Sequence, residues 1–309
     1  MKRTRFCPAK VNLFLEVTGK RPNGYHELAT LFAKIDLGDW ITVDATPAKK
    51  TSISLQVTGP RRAGIPTNAH NLVCRAAQDF LDYYCLQAHI QLKLDKHVPT
   101  GAGLGGGSSD AAGVLLCLCE IFHKDPMDLL EVAARLGADV PLFLYPQTFL
   151  KGEGIGEKLT PLPAADNLPY LLLIYPCTAV STKQVFARMS VPSAGEILTN
   201  TTKLDRLIDA IRNGLPVQKW GPLLFNRLEE YVLPFVPSVE QTLRSLQQAN
   251  ENMGIMSGSG STVFTLVGTK QHVQELAATL QHAKRLVFPV SFYRGSTNAD
   301  YGDKSSSDR

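Results

Sequence analysis

The residues with the clearest chemical potential lie in a glycine-rich segment, Pro99–Ala112, which reads PTGAGLGGGSSDAA. Five of the seven residues from Gly101 to Gly107 are glycine, and two serines follow directly. A backbone without Cβ atoms can approach a ligand closely. The next residues, Ala111–Phe122, are apolar and alanine-rich, which predicts a helix. Because unpaired amides and the dipole at a helix N-terminus favour an anion, the segment predicts a phosphate site.

A second chemical candidate is Asp139, which lies at a sharp corner of the chain. It follows a predicted helix over Met127–Leu136 and its stop at Gly137, and it precedes Pro141. A carboxylate held at such a corner can orient an acceptor hydroxyl and take its proton. A turn aspartate can equally bond neighbouring backbone amides, so the residues alone leave both roles open.

The whole chain is typical of a globular protein with two domains. It has 309 residues, of which 44% are hydrophobic and 19% charged, with a net charge of +4 spread along the sequence. Basic blocks are absent, which argues against a nucleic-acid partner. No apolar run approaches the ~20 residues of a membrane span, and no signal peptide is recognisable. The six cysteines have no metal spacing, so we expect reduced thiols, a cytoplasmic location and no membrane partner. The oligomeric state is left open.

The elements that must position these residues mix strands and helices without a regular βαβ alternation. Alternating residues predict strands such as Ser52–Val57, and Asn23-Gly24 predicts a tight turn between two strands. We therefore expect an α+β fold with mainly antiparallel sheets. The predicted domains are 1–165 and 166–295, followed by a disordered tail at 296–309.

The glycine segment also matches, formally, the dinucleotide pattern Gly101-x-Gly103-x-x-Gly106, which would suit a dehydrogenase. The context is wrong for that pattern, because the preceding strand alternates and Glu120, the acid near the required spacing, falls inside the predicted helix. No lysine follows Gly107, so the Walker A pattern is also absent.

Three motifs together resemble those of the GHMP kinases. The segment at 99–112 is similar to their central phosphate loop, Cys7–Leu13 (CPAKVNL) to their N-terminal motif, and Ser257–Phe264 (SGSGSTVF) to their C-terminal glycine motif. The three occur in the family's order and span nearly the whole chain. The resemblance implies a two-domain kinase that transfers the γ-phosphoryl group of ATP to a small-molecule alcohol. It also implies that residues 1–165 bind ATP, that residues 166–295 form the substrate side, and that the ligand cleft lies between the two domains.

One signature narrows the acceptor. The pattern Leu15-x-Val17-x-Gly19-x-Arg21-x-x-Gly24-Tyr25-His26-x-Leu28 resembles the branch that phosphorylates the 2-hydroxyl of a cytidine diphosphate-linked polyol, methylerythritol, in isoprenoid synthesis. Asn23 stands where that branch usually has aspartate, and either residue suits a tight turn. The alternatives are another kinase of the same superfamily, of the mevalonate or homoserine type, and the nucleotide-binding dehydrogenase.

The resemblance assigns roles to individual residues. It implies a catalytic pair, Lys10 and Asp139, in which the cation favours a developing alkoxide. For ATP it implies Pro99, Thr100, Gly101, Ala102, Gly103, Leu104, Gly105, Gly106, Gly107, Ser108 and Ser109, with Asn71 and Lys96 near the adenine. For the substrate it implies Asn12, Tyr25, His26, Thr182 and Phe186, with Tyr25 and Phe186 stacking on either side of the base. Mg²⁺ is expected on the nucleotide phosphates, without a protein ligand being assigned; Asp110 is the nearest carboxylate to the loop.

Overall fold

The computed structural model describes residues 1–251 and 253–295. Its strands are β1 (Lys2–Lys20), β2 (His26–Pro47), β3 (Ser52–Thr58), β4 (Ala88–Asp95), β5 (Phe149–Gly154), β6 (Lys158–Leu162), β7 (Tyr170–Tyr175), β8 (Phe225–Asn226), β9 (Ile255–Met256), β10 (Val263–Val267) and β11 (Leu286–Ser291). Its helices are α1 (Leu72–Tyr83), α2 (Gly106–Phe122), α3 (Leu130–Leu136), α4 (Thr182–Ala187), α5 (Ala194–Arg212), α6 (Val217–Trp220), α7 (Glu229–Val232), α8 (Pro237–Ala249) and α9 (Lys270–Leu280).

The first sheet has the order β3-β4-β2-β1-β8, and β5 pairs with both β2 and β6. The pairing of β1 with β2 is antiparallel and runs through most of both strands. Its register shifts between Pro8 and Ala9 and again between Asn12 and Phe14. Such β-bulges bend a strand and redirect its side chains, and here they bracket the segment Ala9–Asn12.

The second sheet has the order β11-β7-β10-β9, and all its pairs are antiparallel. Both β7 and β10 are apolar and buried along nearly all their length, as expected for central strands covered on both faces. In the described residues, most pairs of both sheets are antiparallel, which agrees with the expected α+β class.

The segment α2 is held tightly against β1 beneath the glycine loop. A Cβ at Gly113 would lie 2.4 Å from the Cys7 sulfur, so glycine is required at this crossing. The helix is mostly buried and packs with α1, α3 and the first sheet in one apolar cluster. Burial on nearly all sides explains why its sequence is apolar without a polar stripe.

The break between the two sheets falls in the stretch between Leu162 and Tyr170. The division is not complete, because β8 pairs with β1 and Phe292 forms a bridge to Ile35. Domain limits at 165 and 166 stay a prediction, and the tail predicted at 296–309 lies outside the described residues. No described helix has the length and apolar character needed to cross a membrane.

A buried ion pair fastens the C-terminal half to β1. The Glu16 carboxylate accepts hydrogen bonds from the Arg227 guanidinium at 2.8 Å on both oxygens and from Asn200 Nδ2 at 2.6 Å. Glu16 has no exposed surface, so these donors replace the water that the charge loses. The pair raises the pKa of Arg227 well beyond its usual value, mainly through the Glu16 hydrogen bonds.

Candidate active site

A cleft of about 950 Å³ has the size of a small-molecule binding site. It is lined by β1, β2, the start of α2, the turn after α3, the start of α4 and the second glycine loop, which is formed by Ser257–Thr262 of the C-terminal glycine motif. Among the described residues that line it, Asp139 carries the one carboxylate. The three motifs, which are far apart in the sequence, therefore meet in this cleft.

The charged centre of the cleft is formed by Lys10, Asn12 and Asp139. Lys10 Nζ donates to Asn12 Oδ1 at 2.9 Å and lies 3.5 Å from Asp139 Oδ2. The Lys10 side chain is 8% exposed and that of Asp139 is 34% exposed. Lys10 Nζ also lies 5.6 Å from the ring centroid of Phe32, a favourable cation–π distance. A cation and a carboxylate thus meet at the wall of an open cleft.

The corner that carries Asp139 is built as the sequence predicts. Helix α3 ends at Leu136, and the Gly137 amide caps it by donating to the Ala133 carbonyl at 3.1 Å. A turn then returns the chain, with the Val140 amide donating to the Gly137 carbonyl at 3.0 Å, before Pro141 starts a short 3-10 helix. Asp139 lies inside this turn, so its carboxylate is directed by backbone rather than by a flexible loop.

The glycine loop ends at the N-terminus of α2, which can bind an anion. Gly105, at φ 68°, occupies the N-cap of α2, and no side chain caps the helix. The first amides of α2 are consequently available to a ligand. Lys10 joins the loop to β1, because its amide donates to the Leu104 carbonyl at 2.9 Å. Ser108 lines the cleft, and the helix therefore begins beside the Lys10–Asp139 pair.

The second glycine loop, Ser257–Thr262, closes over the first. A Cβ at Gly103 would lie 2.5 Å from the Gly260 carbonyl oxygen, and the Thr262 amide donates to the Ala102 carbonyl at 3.2 Å. Asn226 holds the second loop from below by donating to the Gly258 carbonyl at 2.7 Å. Each loop thus keeps its shape by contact with the other.

The predicted base subsite lies at the far end of the cleft. The rings of His26 and Phe186 lie 5.4 Å apart with an interplanar angle of 30°. His26 is buried, and its Nε2 has no hydrogen-bond partner among the described residues. Burial, and secondarily the charge of Lys20, lower the pKa of His26, so its ring is neutral near pH 7. Tyr25 is 59% exposed at the rim.

This arrangement differs in one respect from the predicted stacking. Phe186 contacts His26 directly, whereas Tyr25 stands out from the rim, so the sandwich between Tyr25 and Phe186 stays a prediction. Thr182 also reaches the cleft, where its hydroxyl lies 2.6 Å from that of Ser259. This contact joins the start of α4 to the second glycine loop.

Several predicted ATP residues lie outside the cleft lining. Asn71 caps α1 by accepting from the Val73 amide at 3.1 Å, and its Nδ2 donates to the Pro66 carbonyl at 2.7 Å. Lys96 is buried beneath the loop, and its Nζ donates to Asp39 at 2.5 Å and to Asp110 at 2.7 Å. Both side chains are buried and have partners within the protein, so a contact with adenine stays a prediction.

The start of α2 also separates its two serines. Ser108 faces the cleft, whereas Ser109 is 1% exposed and lines a different pocket of about 280 Å³. Asp110 is buried with Lys96 and is therefore directed away from the cleft. Pro99 is buried and Thr100 is exposed beside Tyr175, whose hydroxyl lies 3.5 Å from the Thr100 carbonyl.

Sequence reasoning found His26 at the start of β2 but missed the contribution of the strand beyond it. Thr30 and Phe32 both line it, and Thr30 is completely buried beneath Asn12. The available signal was the two-residue alternation of a strand, which places Leu28, Thr30 and Phe32 on one face. That signal does not show which face of β2 borders the cleft.

Comparison with known proteins defines the class. The model of the GHMP kinases N terminal domain matches residues 71–147, which include the glycine loop and Asp139, and the GHMP kinases C terminal model matches residues 203–285. The structure of a homoserine kinase from Cytophaga hutchinsonii superposes with a TM-score of 0.76 over 95% of this chain and 96% of that one, at 17% identity. At this identity, the likeness to the homoserine kinase shows the fold alone.

Two further comparisons identify the branch. The 4-diphosphocytidyl-2-C-methyl-D-erythritol kinase of Deinococcus radiodurans is 38% identical over 89% of this chain and 87% of its own length. A crystal structure of 4-(cytidine 5'-diphospho)-2C-methyl-D-erythritol kinase is 31% identical, with a TM-score of 0.73 and coverage of 93% and 99%. The chain therefore belongs to the 4-diphosphocytidyl-2-C-methyl-D-erythritol kinase family of the GHMP kinases. The resemblance of the motifs and the expected fold are confirmed, and the dehydrogenase alternative is wrong.

Proposed function

We propose that this protein transfers the γ-phosphoryl group of ATP to the 2-hydroxyl of 4-diphosphocytidyl-2-C-methyl-D-erythritol. The observation that carries the proposal is the position of the Lys10–Asp139 pair, between an uncapped helix N-terminus and a neutral, buried histidine. The first suits a triphosphate and the second suits the edge of a base. The relatives' names supply the acceptor.

In this proposal Asp139 receives the acceptor hydroxyl. Its carboxylate orients the oxygen towards the γ-phosphorus and accepts the proton as the new P–O bond forms, while the bond from the γ-phosphorus to the β,γ-bridging oxygen breaks and ADP leaves. Lys10 stabilises negative charge that develops on the attacking oxygen, from a position where burial strengthens its field. Because phosphoryl transfer proceeds through a loose transition state, positioning of the two substrates is the larger part of catalysis.

His26 and Phe186 are proposed to select the cytosine end. The unpartnered Nε2 of His26 is available to bond the base edge, and the Phe186 ring offers an apolar face for stacking. A neutral imidazole can accept or donate one hydrogen bond according to its tautomer. These contacts would align the polyol so that its 2-hydroxyl reaches Asp139.

Mg²⁺ is proposed to bind chiefly through the nucleotide. No cluster of three metal-ligating side chains occurs in the described ranges 1–251 and 253–295, and Asp110 is committed to Lys96. This sparse donor set fits an ion that is held by phosphates and water with one or two protein oxygens. Ser108 and Asp139, which line the cleft beside the helix N-terminus, would supply these oxygens. When bound, the ion neutralises charge on the transferring phosphate.

The experiment is a phosphorylation assay with the purified protein, ATP and Mg²⁺. The cytidyl compound, mevalonate and homoserine are offered separately, and the product is followed by ³¹P NMR and mass spectrometry. We expect a new phosphomonoester from the cytidyl compound alone. Turnover of mevalonate or homoserine, without turnover of the cytidyl compound, would refute the proposed acceptor.

The catalytic role is tested by Asp139→Asn, which keeps the shape of the side chain and removes its charge. We expect kcat to fall at least about 100-fold, the scale of general-base contributions, while both ligands still bind in calorimetry. Asp205→Asn is the matched control, since Asp205 is exposed on α5. Near-normal turnover of Asp139→Asn would remove this residue from the catalytic role.

A further inference from the structure

Thr30 is buried below the catalytic pair and forms an ordered chain of hydrogen bonds with it. Its hydroxyl donates to the Phe14 carbonyl at 2.7 Å and accepts from Asn12 Nδ2 at 2.9 Å. Asn12 Oδ1 in turn accepts from Lys10 Nζ at 2.9 Å. Thr30 is 0% and Asn12 2% exposed, and both border the cleft from below its surface, next to Lys10.

The direction of each bond in the chain is determined by chemistry. A carbonyl oxygen can only accept, so the single hydroxyl proton of Thr30 must go to Phe14. The Thr30 oxygen is then left to accept, which requires the NH₂ group of Asn12 on that side. The amide oxygen must consequently face the opposite way, towards an ammonium that can only donate.

The bulges of β1 explain why these groups meet. The register with β2 shifts between Asn12 and Phe14, and a bulge leaves the ladder locally disrupted. The Thr30 hydroxyl bonds the Phe14 carbonyl at this point from the opposite strand. Asn12 is also held through its backbone N–H, which donates to the Ser257 hydroxyl at 3.2 Å.

We propose that Thr30 is a positioning residue for phosphoryl transfer, which acts by orienting the Asn12 amide so that its oxygen holds the Lys10 ammonium beside Asp139. This inference rests on the proposed function, because it assigns Lys10 and Asp139 to the reaction. Thr30 itself touches no reacting atom. Loss of its hydroxyl releases one end of the amide, and Lys10 then samples positions away from the acceptor oxygen.

The test is Thr30→Val, which keeps the side-chain volume and removes the hydroxyl. We expect kcat to fall about tenfold, within the range of coupling in one hydrogen-bond network, while KM for ATP and for the cytidyl substrate changes less than about twofold. Thr30→Ser restores the hydroxyl, and we expect its kcat to return to within about twofold of the wild-type value.

The chain offers a closely matched control in Thr265 on β10. Its hydroxyl also accepts from a buried asparagine, Asn250 Nδ2 at 2.7 Å, and donates to a backbone carbonyl, that of Met253 at 2.9 Å. Thr265 is 0% exposed and does not line the cleft. Thr265→Val should lower the unfolding midpoint about as much as Thr30→Val and leave kcat unchanged.

A double-mutant cycle with Asn12→Ala separates positioning from a structural role. If Thr30 acts through Asn12, adding Thr30→Val to Asn12→Ala lowers kcat by less than about twofold more. Losses that multiply, or a kcat of Thr30→Val equal to that of Thr265→Val, would overturn the inference while leaving the proposed function intact. A wild-type protein that does not phosphorylate the cytidyl compound overturns the proposed function, and this positioning role with it.

Discussion

Lys34 offers a sharp test of how burial sets charge in this molecule. It lies on β2 with 2% of its surface exposed, and its ammonium donates to the Tyr145 carbonyl. Burial lowers the pKa of Lys34 from 10.5 to about 7. The unfolded chain therefore binds one proton more than the folded chain between these two pH values, so the stability contributed by this group rises with pH across that window.

The magnitude follows from the two pKa values. Each pKa unit corresponds to about 1.4 kcal/mol, so burial of this lysine costs about 5 kcal/mol of folding free energy at pH 7 and below, and nothing above pH 10.5. In Lys34→Met the cost disappears, at the expense of about 1 kcal/mol for the lost hydrogen bond. The backbone bonds of residue 34 to Thr148 and Tyr293 are kept. We expect the variant to be more stable by about 3–4 kcal/mol at pH 7.

The assay is urea unfolding of both proteins at pH 7, 8, 9 and 10. The gain in the free energy of unfolding should shrink by about 1.4 kcal/mol for each pH unit above 7. Lys158→Met is the matched control, because Lys158 is exposed on β6 and should leave the pH slope unchanged. A gain that does not vary with pH, or a loss of stability at pH 7, would refute the reasoning.

Two further predictions concern Glu229 and Gly103. Burial raises the pKa of Glu229 from 4.5 to about 7, so the stability that this group contributes falls as the pH rises through that window. In Glu229→Gln the amide oxygen can still accept the hydrogen bond that the Met256 amide donates at 2.7 Å, and urea unfolding should show a gain of up to about 3 kcal/mol at pH 8 and little gain at pH 5. Equal gains at both pH values would contradict this prediction. Gly103→Ala places a Cβ 2.5 Å from the Gly260 carbonyl oxygen at a φ of 77°, so calorimetry should show at least about tenfold weaker ATP binding. Gly195→Ala is the control, because a Cβ at Gly195 would meet no atom within 4 Å. Unchanged affinity in Gly103→Ala would show that the two loops adjust to the Cβ without loss of ATP binding.

Local sequence was sufficient for the features that depend on a few neighbouring residues. The glycine loop, the helix stop at Gly137 and the corner at Asp139 form as expected, because glycine, proline and helix termini act over one or two turns of chain. Helix α2 begins at Gly106, five residues before the predicted start at Ala111, because glycine and serine have weak helix propensity. The helix predicted over Met127–Leu136 begins as a 3-10 turn at Pro126–Leu129. The order of the three motifs was also sufficient for the family.

Tertiary structure alone decided which of these groups meet and in what charge state. Asp139 reaches Lys10, and Ser257 reaches Asn12, only because the strands and loops that carry them pack around one cleft. The partners of Lys96 and the lowered pKa of Lys34 depend on burial, which comes from the packing of whole sheets and helices. Thr30 has no distinctive sequence context, and its place beneath Asn12 follows from the register of β1 against β2. The chemical groups and the family follow from the sequence, whereas the orientation and ionisation of those groups follow from long-range pairing and loss of water.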